Sequence, residues 1–175
     1  MHRREFLRAV AVAASSPQAL AYSGQAGQGG WPIWASRAGE TYYFDARTPE
    51  GYRIAQYLLR DIRANRVGFP HPYLLRSLAQ IQAWWAQYGR HVCLEITSGL
   101  RTYQTNKSTE GAARASLHLP DERGRFFAVD FRPGNVALDV AARWLRAAGV
   151  GGIGLYVERG FLHADVGRPR VWVSK

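Results

Sequence analysis

Phe127-Ala128-Val129-Asp130-Phe131-Arg132 and Phe161-Leu162-His163-Ala164-Asp165-Val166 are two short runs in which polar and apolar residues alternate. In a strand, residues two apart share a face. Val129 and Phe131 therefore point away from Asp130, and Leu162 and Ala164 point away from His163. Apolar neighbours facing a core, with one polar side chain opposite, aim that side chain into a cleft. Upstream, Ser116-Leu117-His118 follows a loop of small residues and supplies another imidazole. Two imidazoles and one carboxylate are the ligands that a catalytic zinc ion takes when its fourth position stays open for water. His118, Asp130 and His163 are accordingly the candidate metal ligands.

Outward from this centre, the chain punctuates clearly. Glu40–Asp45 is rich in aromatics and reads as a strand. Thr48 caps a helix with Pro49 at its first position, and Ile54, Leu58 and Ile62 recur on one face. Gly68 to Pro72 breaks the chain, and a second helix runs from about Tyr73 to Tyr88. Its inward residues are Leu74, Leu75, Leu78, Ile81 and Trp85, and Gly89 stops it. His91–Thr97 alternates as a strand. Lys107–Ala115 is either a short helix or a mobile loop over the site, and Asp121–Arg125 is a charged turn. Asn135 can cap a helix to Ala148, and strands follow at 151–157, 161–166 and 171–173, the first two joined by a tight turn at 158–160. Helices grouped early and mostly adjacent strands later predict an α+β fold, with a small antiparallel β-sheet and helices packed on one side. Tyr156 and the pair Trp84-Trp85 read as core.

Composition narrows the function classes. Hydrophobic residues make up 47% of the 175-residue chain, which excludes wholesale disorder. The single Cys93 permits no internal disulfide and no thiolate zinc site, and reads as a buried small hydrophobe. A net charge of +10 suits an anionic polymer. Only Lys107 and Lys175 are lysines, and no basic block, zinc-finger spacing or recognition helix occurs, so no nucleic-acid partner is expected. His71, between two prolines, reads as a surface turn residue, and His91 as the start of a strand. Arg3-Arg4, Phe6-Leu7, the apolar run Ala9–Ala14 and Ala19-Leu20-Ala21 make residues 1–21 a twin-arginine-type signal sequence. Its apolar run is too short to span a bilayer as a helix. Residues 22–30 are a flexible linker, which leaves 31–175 as one catalytic domain.

Three motifs in order carry a resemblance. They are Ser98-Gly99-Leu100-Arg101-Thr102; Ser116-Leu117-His118 followed by Ala128-Val129-Asp130; and Gly151-Gly152-Ile153-Gly154-Leu155-Tyr156 followed by Phe161-Leu162-His163-Ala164-Asp165-Val166-Gly167. This pattern, over roughly Tyr42 to Trp172, resembles the zinc D-Ala-D-Ala metallopeptidases with the Hedgehog/DD-peptidase fold, in particular the YcbK-type murein endopeptidases. The resemblance implies Zn2+ on His118, Asp130 and His163, and an Arg101 that contacts substrate or steadies charge on the attacked carbonyl. Asp165 is the candidate general base, or alternatively a partner that orients a ligand. Ser116, Gln104 and Asn106 are the residues expected to bind substrate or line the site.

Two departures from the family pattern stand out. The first His and the Asp are twelve positions apart instead of seven, so the turn at 119–125 is lengthened. The acid that many relatives carry three residues before the last His is replaced by Gly160, with Glu158 the nearest upstream acid. The expected function is an exported, periplasmic or cell-envelope zinc peptidase that hydrolyses peptidoglycan peptides, a murein DD- or LD-endopeptidase acting as a monomer with no stable membrane insertion after cleavage. The alternatives are a D,D-carboxypeptidase, or a non-catalytic zinc-stabilised wall-binding module.

Overall fold

A computed structural model describes residues 29–174. The signal sequence expected at 1–21 and residues 22–28 of the expected linker lie outside the described residues. The first strand, β1 (Pro32–Arg37), pairs antiparallel with β2 (Glu40–Asp45) across Ala38-Gly39. Both turn residues have positive φ, 51° and 82°, the backbone that a two-residue primed hairpin turn requires. β1 is not among the strands that the sequence pattern predicts. Pro32 is tolerated because it is the strand's first residue, and the buried face Ile33, Ala35, Arg37 ends on a charge. The Arg37 guanidinium donates to the carbonyls of Leu58 (2.5 Å) and Arg60 (2.6 Å).

Helix α1 (Pro49–Leu58) starts as expected, with the Thr48 hydroxyl accepting from the Gly51 amide. Ile62 does not continue its apolar face. It lies beyond the helix end and is 42% exposed, because Asp61 and Arg66 close a turn there. After β3 (Phe69–Pro70), helix α2 (Pro72–Gln87) buries all five expected residues. His71 is more than a turn residue: its Nδ1 accepts from the Tyr73 amide and caps α2. Next come β4 (Leu94–Ser98), the short α3 (Tyr103–Lys107), β5 (Arg125–Phe126) and β6 (Ala128–Arg132). Cys93, expected to be buried, is only half-buried. Helix α4 (Leu138–Ala147) follows Ala137, which makes no side-chain cap, so Asn135 is not the cap residue. The chain closes with β7 (Gly152–Tyr156), β8 (Phe161–Asp165) and β9 (Arg170–Ser174).

Seven strands form one sheet in the order β2-β1-β4-β6-β8-β7-β9, and β3 pairs with β5 apart from it. The expected α+β class holds, but the sheet is neither small nor purely antiparallel. β1 runs parallel to β4, and β7 parallel to β9. The reason is connectivity: α1 and α2 carry the chain back before β4, and β9 returns past β8 to the far edge of β7. On one face Ile33, Ala35, Leu94, Ile96, Val129, Phe131, Ile153, Leu162 and Ala164 form a single core with Ile54, Leu58, Leu75, Leu78, Ile81 and Leu145 of the helices. The opposite face carries the polar residues Asp130, His163 and Asp165. No helix among the described residues is long and apolar enough to cross a membrane.

Candidate metal centre

Register brings the two strand ligands together. In the β6–β8 pair Asp130 stands opposite His163, and Ala128 opposite Asp165. A register shift between Ile96 and Ser98 sets Ser98 opposite Asp130, an irregularity that re-aims side chains beside a site. His118 arrives from the preceding segment, where its carbonyl accepts from the Arg101 amide at 2.9 Å. The lengthened turn does not disturb this. Asp121 and Arg125 close it on itself (Asp121 N to Arg125 O, 2.8 Å), and the Gly124 carbonyl accepts from Phe69 N.

The three candidate ligands converge and are buried, at 2% exposure for His118, 4% for Asp130 and 8% for His163. Asp130 Oδ1 lies 3.1 Å from His118 Nε2 and 2.8 Å from His163 Nδ1, and the two nitrogens are 3.2 Å apart. Donors about 2.0–2.1 Å from a tetrahedral zinc lie about 3.3 Å from one another, close to this spacing. Their hydrogen bonds decide the tautomers. His118 Nδ1 sits 2.6 Å from the Gly99 carbonyl, which can only accept, so Nδ1 carries the proton. His163 Nε2 sits 2.8 Å from Asp165 Oδ2, a carboxylate that likewise takes the proton side. In its neutral form each ring therefore presents a bare lone pair to a carboxylate oxygen. Three acceptor atoms in contact repel unless a cation lies between them, so the donor set fits a divalent metal, and its imidazole and carboxylate chemistry fits zinc.

The two rings differ in their electrostatics: His118 favours the neutral form, and the two carboxylates favour a cation at His163. Burial, opposed by Asp130, lowers the His118 pKa below the ordinary value. Burial also acts to lower that of His163, but hydrogen bonds to Asp130 and Asp165 outweigh it and the net shift is upward. Burial acts to raise both carboxylates, and the surrounding donors overcome it. Asp130 is held well below the carboxylate range by the two imidazoles, and Asp165 by His163, Arg170 and the Gly167 amide.

Arg101 grips Asp130 Oδ2 through Nη2 and the Ser98 hydroxyl through Nε (2.8 Å). Asp165 is wholly buried. Its Oδ1 accepts from the amides of Gly152 (3.0 Å) and Gly167 (2.8 Å), and Arg170 bridges both oxygens at 3.2 and 2.5 Å. It stands behind His163, on the far side of the ring from Asp130. Ser116 Oγ accepts from the His118 amide at 3.3 Å. Asn106 is buried, donates to the Ala113 carbonyl at 3.0 Å, and leaves its Oδ1 without a hydrogen-bond partner among the described residues. Gln104 is exposed on α3. Glu158 is exposed, and Gly160 turns the β7–β8 hairpin at φ 66°.

Sequence reasoning gave no role to four contributors: Ser98 and the Gly99 carbonyl, which it quoted only as part of a motif, and Arg170 and Trp172. The Trp172 ring packs 5.3 Å from the His163 ring, and Arg170 lies over Trp172. Their signal was the alternation Arg170-Val171-Trp172-Val173, which puts Arg170 and Trp172 on one face. Gly154 was a second signal, since a Cβ there would lie 2.5 Å from the Trp172 ring. Tyr156, expected in the core, is half-buried on this same face, where it stacks on Phe161.

A buried His-Asp-His cation site with locked tautomers, set on the open face of a mixed sheet, has the form of a mononuclear hydrolytic metal centre. The peptidase M15 family profile matches residues 54–165, and the chain belongs to that family. It is 30% identical over 129 residues to the probable peptidoglycan L,D-endopeptidase MepK of Haemophilus influenzae, over 71% of this chain and 66% of that protein. It is 28% identical over 136 residues to the peptidoglycan L,D-endopeptidase MepK of Escherichia coli K12, over 74% and 70% of the two chains. The chain thus spans about two thirds of the length of these relatives. No solved structure matches it.

Proposed function

We propose that this chain is an exported, zinc-dependent peptidase that cuts an L,D peptide bond within peptidoglycan in the periplasm, working as a monomer. The observation that carries the reading is the pair of imidazoles whose tautomers are fixed by Gly99 and Asp165, so that both lone pairs meet Asp130. Membership of the peptidase M15 family supports peptide hydrolysis, and the relatives' naming as L,D-endopeptidases favours the L,D bond over the D,D bond.

His118 Nε2, Asp130 Oδ1 and His163 Nδ1 would hold the ion, which when bound supplies a Lewis acid and lowers the pKa of a water. The chain's own residues do the rest. Arg101 turns Asp130 by holding its outer oxygen, and among the described residues its Nη1 has no hydrogen-bond partner, so it can meet the oxygen of the attacked carbonyl. Asp165 fixes the His163 ring. With both oxygens already engaged and the imidazole between it and the ligands, it is a positioning residue rather than the proton acceptor. Ser116 steadies the His118 backbone, and the buried Asn106 ties α3 to the segment that follows it by donating to the Ala113 carbonyl.

Digestion of purified peptidoglycan with mass analysis of the fragments tests the reading. The expected result is a new amino and carboxyl end at an L,D bond, abolished by a chelator and restored by zinc. Release of terminal D-Ala alone would make the protein a carboxypeptidase. No cleavage by zinc-loaded protein would leave a wall-binding module.

A further inference from the structure

Rows of side chains run across the metal-bearing face of the sheet. Asp130, His163, Gly154 and Trp172 form one row through the β6–β8, β8–β7 and β7–β9 pairs. The adjoining row, toward the β7–β8 turn, contains Phe161 paired with Tyr156. These two rings stack at 4.4 Å between centroids and 11° between planes. The Arg159 guanidinium, from the turn, lies 4.9 Å from the centre of Phe161 and 5.8 Å from that of Tyr156.

Three other guanidiniums sit on this face, and each is neutralised by a carboxylate: Arg101 by Asp130, Arg132 by Glu95 at 2.8 Å, and Arg170 by Asp165 at 2.5 Å. Arg159 is exposed and forms no ion pair among the described residues. It is seated on aromatic surface, which orders a guanidinium without cancelling its charge. Its planar fork of donors matches a carboxylate bidentately. Phe161 is two residues from His163 along β8, about 7 Å, and two residues of extended peptide span a similar length.

We propose that Arg159, seated on the Tyr156–Phe161 pair, binds a free carboxylate of the substrate peptide about two residues from the bond that is cut, and so sets specificity for anionic over amidated peptides. This rests on the peptidase reading above. The chemistry that recognises such a ligand is a single charge-assisted fork, which a carboxamide cannot satisfy because it carries no charge and offers one acceptor oxygen instead of two.

The test compares the zinc-loaded full chain with Arg159→Gln on one muropeptide in two forms, with its carboxylates free and with them amidated. The expected result is that amidation raises KM about fivefold for the unaltered protein, the order of one partly exposed ion pair. Arg159→Gln raises KM by the same factor on the free form, and amidation then adds nothing. Arg159→Lys recovers part of the preference. Zinc content equal to that of the unaltered protein shows that the Gln variant is folded. Equal losses on both forms, or an undiminished preference for the free form in Arg159→Gln, would overturn the inference while leaving the peptidase reading intact. Failure of the unaltered zinc-loaded protein to cut either form would overturn both.

Discussion

Asp165 illustrates what a residue type can and cannot announce. An acid two positions after a candidate ligand fits two roles, a base on water or a support for the ring, and only its hydrogen bonds separate them. Two amides, Arg170 and His163 occupy both oxygens. Support of this kind fixes tautomer and basicity, and its loss typically costs 10–100-fold in metal affinity. Arg170→Gln is therefore expected to weaken zinc binding by roughly tenfold or more, read by competition with a chromogenic chelator, while kcat at saturating zinc changes much less. If affinity held and only kcat fell, Asp165 would be acting on the reaction rather than on His163. The convergence of His118, Asp130 and His163 was legible in the sequence, because few residue types ligate zinc and strand periodicity said which way Asp130 and His163 pointed, while His118 stood out by residue type alone. Ser98 and Gly99 were visible only as members of a motif, since a hydroxyl and a carbonyl acquire roles only once the β4 irregularity brings them near.

At the scale of the element, β9 ties the fold to the site. Its inward residues Arg170 and Trp172 back Asp165 and His163, and the smallness of β7 makes room for them. Gly154→Ala puts a methyl group 2.5 Å from the Trp172 ring, a contact that must be relieved by moving the indole off His163. The expected cost is about 1–3 kcal/mol of stability, measured by denaturant unfolding, together with weaker zinc binding. Unchanged stability and affinity would mean that Trp172 does not brace the site. The hairpin β7–β8 and helices α1 and α2 were readable from turn residues, Pro49 and helical periodicity. β1 was not, since Trp31-Pro32 looks like a loop and its buried face ends in Arg37, whose guanidinium donates to carbonyls at the end of α1 and just beyond it. Asn135 misled for a related reason: a residue able to cap does so only if the helix starts within its reach.

Across the whole molecule, the helices cover one face of the seven-stranded sheet and the ionisable cluster occupies the other. Non-local pairings such as parallel β1–β4 and β7–β9 leave no local pattern, which is why the sheet read as antiparallel. The charge of +10 spreads over the chain as arginine, and it complements an anionic polymer without specifying one. Tautomers, ring supports and the role of Arg101 all depend on a cation joining His118, Asp130 and His163. The most direct test is metal content per chain of the purified protein, beside His118→Ala, with circular dichroism on both. The expected result is about one zinc per chain, lost in the variant while the spectrum of the fold persists. Equal metal content in the two proteins, or none in either after incubation with zinc, would contradict it.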